Sequence, residues 1–303
     1  MMHFSTSGGL SQQSKLVLNL LSVYFIWGST YLFIHFMTES MPPLYMAGWR
    51  LLVAGGILYP VARLSGHARP NGRESMSAGL LGILLLGCSM GGMTIAIQYL
   101  PTGIAALLAG LLPLFLIVMN WVTFARKKPS VLAMTGLLVG IAGIVMLVQP
   151  GSFKETSSES WIGIVLIFFA DVFWAAGTLL SARLKLPGQM VSSAVQMLVG
   201  GVVLLSVSLL FEPVTMWSIF EAPDKALGSL LYLVVFGSII GFSSYSWLAR
   251  NAPPQLLSTY AYVNPVVAMF LGWAFAGEVL SGQSLMAGIV ILIGVICIVI
   301  GRK

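Results

Sequence analysis

The chain has 303 residues, of which 58% are hydrophobic and 8% charged, with 15 Lys+Arg against 9 Asp+Glu and a formal net charge of +6. A soluble domain carries about 25% charge, so a water-soluble two-domain protein is excluded, and hydrophobicity this high also excludes a disordered chain. No basic patch is dense enough to track phosphates, so the positive balance does not point to nucleic acid. A polytopic membrane protein is what remains.

A bilayer-crossing helix needs roughly 20 apolar residues. Apolar stretches fall at about 16–36, 44–63, 77–99, 103–124, 131–148, 161–182, 190–211, 227–249, 254–275 and 283–301. The first follows a single cation, Lys15, and no small-residue cleavage site comes after it, so it is read as a retained helix and not a signal peptide. Glu39 with Pro42 and Pro43 ends it, and the Arg63 to Glu74 segment separates the second stretch from the third. Leu100, Pro101 and Thr102 alone join the third to the fourth, which predicts a tight helical hairpin. Arg126, Lys127, Lys128 and Pro129 close the fourth; Pro253 and Pro254 precede the ninth. Cys88 and Cys297 lie inside apolar runs and are read as packing residues. The alternating ten-residue segments of a β-barrel are not visible.

The cations set the orientation. Lys15, Arg63, Arg69, Arg73, Arg126, Lys127, Lys128, Arg183, Lys185, Arg250, Arg302 and Lys303 fall on connectors of one side. Lys154 and Lys225 alone fall on the other, and Arg50 lies within a span. Both termini are therefore expected in the cytoplasm, which requires an even number of spans. The expectation is an all-α integral membrane protein of ten transmembrane helices.

Self-comparison shows an internal repeat. Ala109, Pro113, Trp121, Met134, Gly136 and Ile144 align at one constant offset with Ala261, Pro265, Trp273, Met286, Gly288 and Ile296. Gly87 and Gly91 align with Gly237 and Gly241, and Trp27 with Trp174. Each half holds five spans. Five is odd, so the second half enters the membrane from the opposite face, and the halves are related by a pseudo-two-fold axis in the membrane plane. The chain then divides into a cytoplasmic tail at 1–15, a first repeat at 16–149, an extracytoplasmic connector at 150–160 and a second repeat at 161–303.

Ionisable groups inside spans cost roughly 2.5–3.5 kcal/mol each at a helix centre, so they need a partner or a function. Arg50 lies on the second span, somewhat outward of its middle. Its always-charged fork of donors suits a carboxylate, which makes it a substrate or counter-ion residue; the structural alternative is an Arg that ties helix ends together. Asp171 lies at the centre of the sixth span and has three readings. It carries a coupled proton, it pairs with Arg50, or it binds a cationic group of a substrate. A protonated acid bonded to a neighbouring hydroxyl is the plainer alternative.

Other polar and aromatic residues fall at matching depths. Trp27 and its mate Trp174 are near mid-span, with Thr30 one turn from Trp27. Gln196 is the mate of Arg50. Tyr260 and Asn264 are spaced i and i+4, so they share one helix face. These seven residues, Arg50, Trp27, Thr30, Trp174, Gln196, Tyr260 and Asn264, are the substrate-binding candidates, with Asp171 as the proton-coupling candidate. Pro113 and Pro265 each remove a helix hydrogen bond at mid-depth, so these two symmetric breaks are read as hinges, as cavity walls, or as plain kinks filled by packing. The pairs Gly87/Gly91, Gly136/Gly140 and Gly237/Gly241 permit close helix packing.

Trp27-Gly28-Ser29-Thr30-Tyr31, Glu39-Ser40-Met41-Pro42-Pro43 and Ala47-Gly48-Trp49-Arg50 resemble a first EamA repeat. Tyr260-Ala261-Tyr262-Val263-Asn264-Pro265-Val266-Val267 followed by Gly277-Glu278 resembles a second. The chain is similar, from about Trp27 to the end of the last span, to the ten-helix EamA family of the drug/metabolite transporter superfamily, and most closely to its YedA-like branch. The resemblance implies two inverted five-helix EamA repeats, an inner-membrane location, export of small metabolites, and a cavity lined by helices 1–4 and 6–9. Arg126 stands where the family's first repeat often carries an acid, opposite Glu278 in the second.

No enzyme chemistry is legible. His3, His35 and His67 cannot form a metal cluster by spacing, no GxSxG or HExxH is present, and the phosphate loop of an ATPase is absent. No cofactor, metal or nucleic-acid partner is expected. The function read from the chain is a gradient-driven secondary exporter of small metabolites, amino acids or similar amphipathic compounds, working by alternating access as a monomer or homodimer. A lipid-modifying membrane enzyme and a channel or non-transporting sensor are the alternatives.

Overall fold

The structure is a computed structural model. It describes residues 11–124, 130–148, 159–252, 259–279 and 281–301. Arg126, Lys154 and most of the tail at 1–15 and the connector at 150–160 lie outside those residues. The described residues are helical throughout, with no strand among them. Seven helices are long and apolar enough to cross a membrane: α1 (Gln12–Thr38), α2 (Pro43–Leu64), α3 (Gly72–Ala96), α4 (Thr102–Thr123), α6 (Ser160–Ser181), α7 (Gln189–Phe211) and α8 (Asp224–Leu248). The helices α5 (Val131–Val148), α9 (Tyr260–Phe275) and α10 (Gly282–Ile300) carry shorter apolar cores.

Local chemistry sets the helix ends. Asn71 and Glu74 cap α3 reciprocally, each side chain accepting the other's backbone N–H, a capping box. Gly66, at φ 84°, ends α2: its N–H reaches Arg63 O and that of His67 reaches Ala62 O. That is a Schellman ending, which needs the left-handed conformation that glycine adopts without strain. Two helices are capped from far along the chain. The Glu212 carboxylate accepts from Leu44 N at 3.0 Å and Tyr45 N at 2.9 Å, at the start of α2. The Glu278 carboxylate accepts from Thr102 N at 2.6 Å and Gly103 N at 3.4 Å, at the start of α4. Both satisfy amides that a helix start leaves without partners, and both place negative charge at the positive end of a helix dipole.

The α2 helix packs along α7, α5 along α10, and α4 along α9. The α1 helix lies against α8 and α9, and α6 against α3 and α4; α2 touches α8, and α7 touches α3. Glycines bring backbones close where these pairs meet. A Cβ on Gly201 would come within 2.8 Å of Leu52 N, and one on Gly294 within 2.6 Å of Gly140 N. The outward faces carry large exposed side chains such as Phe25, Leu138, Trp161, Val165, Leu231 and Phe270. A contiguous apolar exterior of this kind is a membrane-facing surface.

Four helices contain π-helical stretches: Val23–Trp27 in α1, Gly82–Met90 in α3, Asn120–Phe124 in α4 and Leu233–Phe242 in α8. Such widened turns concentrate at functional sites. The two proline helices differ. The α4 helix breaks at Gly110 and Leu111, just before Pro113, whereas α9 runs through Pro265 without interruption. The symmetric pair of breaks expected from the sequence is thus an interruption in one helix only. Pro265 leaves the Ala261 carbonyl without its helical donor, and that oxygen lies over Gly110, where a Cβ would stand 2.8 Å from it. The missing side chain at Gly110 leaves room for that carbonyl.

Candidate functional site

One cavity, of about 870 Å³ including its mouth, lies inside the bundle. The helices α1–α4 and α6–α9 all contribute to its wall, and α5 and α10 contribute nothing. Leu51, Leu86, Met90, Met93, Leu112 and Met197 make most of it apolar. Arg50 and Asp171 are the one base and the one carboxylic acid among the described residues of the lining, each 5% exposed.

The Arg50 guanidinium is held from one side. Its Nε donates to Ser238 Oγ at 2.9 Å, its one hydrogen bond among the described residues. The rest of the fork lies over Gly237, where a Cβ would stand 2.8 Å from Nη2 and 3.1 Å from Thr30 Cγ2. One turn on, a Cβ at Gly241 would stand 2.6 Å from Trp27 Nε1, whose N–H donates to the Gly237 carbonyl at 3.2 Å. Gly237 and Gly241 therefore make room for the two side chains that enter α8 from α2 and α1. The small-residue spacing expected to bring helices together serves here to seat a guanidinium and an indole.

Asp171 projects from α6 into the same cavity. Its Oδ2 is buried and has no hydrogen-bond partner. No ion pair joins it to Arg50 among the described residues, so the structure does not contain the direct pairing considered for these two. Asn264, on α9, also lines the cavity and also leaves Oδ1 buried without a partner.

Below these groups four rings interlock. Trp27 stacks on Tyr245 at 4.9 Å, and meets Trp174 at 5.8 Å and Tyr260 at 5.7 Å nearly at right angles. Tyr245 also contacts Trp174 and Tyr260 edge-on. Offset and edge-on pairs of this kind are each worth about 0.5–1.5 kcal/mol beyond burial. Tyr24 hydrogen-bonds Thr259 beyond them. At the other end of the cavity Ser29 bonds the Tyr232 hydroxyl at 2.7 Å, Phe33 stacks on Tyr232 at 3.7 Å, and Lys225 pairs with Glu39 while lying over Phe36. The α1 helix thus contacts α8 both above and below the cavity.

Six of the seven binding candidates, Arg50, Trp27, Thr30, Trp174, Tyr260 and Asn264, line this one space together with Asp171. Gln196 does not line it. Its side-chain amide donates to Ser192 Oγ at 2.9 Å within α7, and its backbone carbonyl faces Gly82 of α3; Met197 represents α7 in the cavity instead. Pro113 and Pro265 are buried next to the wall, whose α4 and α9 portions are Ala109, Leu112, Tyr260 and Asn264. Ser238, Tyr31, Ser89 and Tyr245 escaped the sequence reading. The i+1 position of Ser238 beside Gly237 held a signal only for Gly237. Among the described residues no group of three His, Cys, Asp or Glu side chains is placed to hold a metal.

An apolar-faced helical bundle with buried charges in a central cavity is the architecture of a polytopic membrane protein. The chain belongs to the EamA-like transporter family, which matches residues 14–149 and 161–300. It is 40% identical over 290 residues to the uncharacterized inner membrane transporter YedA of Escherichia coli (strain K12), covering 93% of this chain and 90% of that one. It is 30% identical over 285 residues to the protein PecM of Dickeya dadantii (strain 3937), covering 90% and 88%. A solved crystal structure with 20% identity superposes at a TM-score of 0.66 over 94% of this chain and 96% of the other, which shows the shared fold.

Proposed function

We propose that the protein is a secondary active exporter that moves small amphipathic metabolites, amino acids or compounds like them, across the inner membrane by alternating access. The observation that carries this is the placement of Arg50 and Asp171 in one buried cavity with an otherwise apolar wall. A buried charge without a partner costs several kcal/mol, and a ligand group that neutralises it recovers that cost. Arg50, Trp27, Thr30, Trp174, Tyr260 and Asn264 bind the substrate, with Ser238 orienting Arg50. Asp171 faces the substrate as well and is the group to which a coupled proton would attach.

The ten helices form two inverted repeats, 16–149 and 161–303, with both termini in the cytoplasm. The contact pattern supports this. Exchanging α1–α5 for α6–α10 turns the α1 contacts with α8 and α9 into those of α6 with α3 and α4, and leaves α2–α7, α4–α9 and α5–α10 as self-paired. In that orientation the Tyr232, Lys225 and Glu39 contacts close the outer side and the Trp27–Tyr245 cluster closes the cytoplasmic side. Alternating access then separates α1 from α8 at one end at a time, with the Gly110 break in α4 and Pro265 in α9 as the points of bending. The protein acts as a monomer or homodimer without a cofactor.

Counterflow in liposomes holding the purified chain tests the reading. A panel of labelled metabolites should include one whose uptake is driven by the same compound inside, and Arg50→Gln should abolish it while the protein stays inserted and monodisperse. Normal counterflow by that variant would remove Arg50 from the site.

A further inference from the structure

We infer that Asp171 and Asn264 form a subsite for a primary ammonium group, set between the rings of Trp27, Trp174 and Tyr260, so that the transported molecule presents an amine on an apolar body. The inference rests on the transporter reading and specifies what its cavity selects. Two independent observations point to a hydrogen-bond-donating ligand. Asp171 Oδ2 and Asn264 Oδ1 are both acceptors, both belong to side chains 5% exposed, both line the same cavity, and neither has a donor among the described residues. Buried polar atoms in folded proteins nearly always have a partner, and those that do not call for one from outside the chain.

The rings give the second observation. Trp27 stands at 85° to Trp174 and at 90° to Tyr260, so the three make a corner and not a stack. Ring faces at a corner attract a cation through their negative quadrupole, and the attraction grows when the cation is desolvated. Arg50 does not compete for Asp171, since its one hydrogen bond goes to Ser238 on α8 and no ion pair joins the two. Tyr31 and Tyr260 bring phenol groups to the same wall. An ammonium satisfies the carboxylate with charge and the amide oxygen with an N–H, and it carries donors only, matching these two acceptors; Trp174 Nε1, a donor in the same wall, is also without a partner among the described residues and is not served by it. An anionic end would leave the carboxylate as costly as before, and a hydroxyl would satisfy it with one neutral donor and no charge.

Calorimetric titration of the detergent-solubilised full-length chain tests this with 2-phenylethylamine and its neutral counterpart 2-phenylethanol. The wild type should bind the amine about tenfold or more tightly than the alcohol, the ratio expected when a charge-paired hydrogen bond is exchanged for a neutral one. Asp171→Asn should bring the two probes to parity, and Asn264→Leu should reduce the preference about fivefold. Arg50→Gln should keep the amine preference whatever becomes of transport, which separates a failure of this subsite from a failure of the transporter reading. Equal binding of the two probes by the wild type overturns the inference. So does an Asp171→Asn variant that keeps its amine preference, including one that loses only proton-driven uptake. If Asp171→Asn is not monodisperse, Asn264→Leu and the charge-retaining Asp171→Glu are read instead, and an undiminished preference in Asn264→Leu overturns it.

Discussion

The glycine pairs Gly87/Gly91 and Gly237/Gly241 occupy the same register in the two halves of the sequence, yet they do different things. In α3 the space above Gly87 is filled by Val203 Cγ1 at 3.5 Å and that above Gly91 by Leu204 Cδ2 at 2.6 Å, both from α7. In α8 the same two positions receive the Arg50 guanidinium and the Trp27 indole. One pair lets helices pack; the other admits the functional side chains of the opposite half. The two halves that match the family therefore differ in chemistry where they meet the cavity. Arg50 has Gln196 as its sequence mate, and Gln196 turns back onto its own helix.

The comparison can be broken most strongly at Arg50. Arg50→Gln should lower counterflow at least about a hundredfold, since a bidentate charged contact is worth 2–3 kcal/mol or more, whereas Gln196→Leu should leave counterflow within about threefold of wild type. Equal losses in the two variants would mean that both mates serve the substrate.

Next in size is the exchange at the glycines themselves. Gly237→Ala places a carbon against Arg50 Nη2 and Thr30 and should cut the counterflow rate about tenfold, with KM rising as the fork is displaced. Gly87→Ala meets only an ordinary contact with Val203 and should change the rate less than twofold. Tyr245→Ala should follow, with a loss of about fivefold, because it takes the stacking partner from Trp27 and opens the aromatic layer; Tyr245→Phe should restore most of the activity. The smallest effects belong to the helix caps. Glu278→Ala leaves the first amides of α4 unpaired and should lower stability by about 1 kcal/mol, seen as a fall in Tm of the detergent-solubilised chain, with transport largely kept at low temperature.

The helical bundle was legible in the sequence because hydropathy and cation placement are properties of whole segments, and a bilayer leaves little choice of backbone conformation. Arg50, Asp171 and the aromatic residues were legible for a related reason: charge and large rings at mid-span are conspicuous where nearly everything else is aliphatic. Ser238 and Tyr245 were not. Serines and tyrosines are common in apolar helices, and their importance comes from which residue of another helix they meet. The π-helical stretches at Gly82–Met90 and Leu233–Phe242 were hidden as well, since a widened turn changes which side chains share a face without changing composition. Gln196 was placed by repeat symmetry, and local bonding to Ser192 prevailed over the symmetry. Pro113 and Pro265 were assigned one role by repeat symmetry; α4 breaks just before Pro113, while α9 continues through Pro265 with the freed carbonyl lying over Gly110.

The two remote caps bear on how the protein is made. The amides that open α2 and α4 leave the ribosome early, and the carboxylates that receive them, Glu212 and Glu278, emerge only after α7 and α9. The first half is therefore completed by the second, and its helix starts stay hydrated until their late-arriving partners dock. A nascent chain halted between the repeats should be open to proteolysis at residues 42–45 and 100–103, and co-expression of the missing half should close both sites.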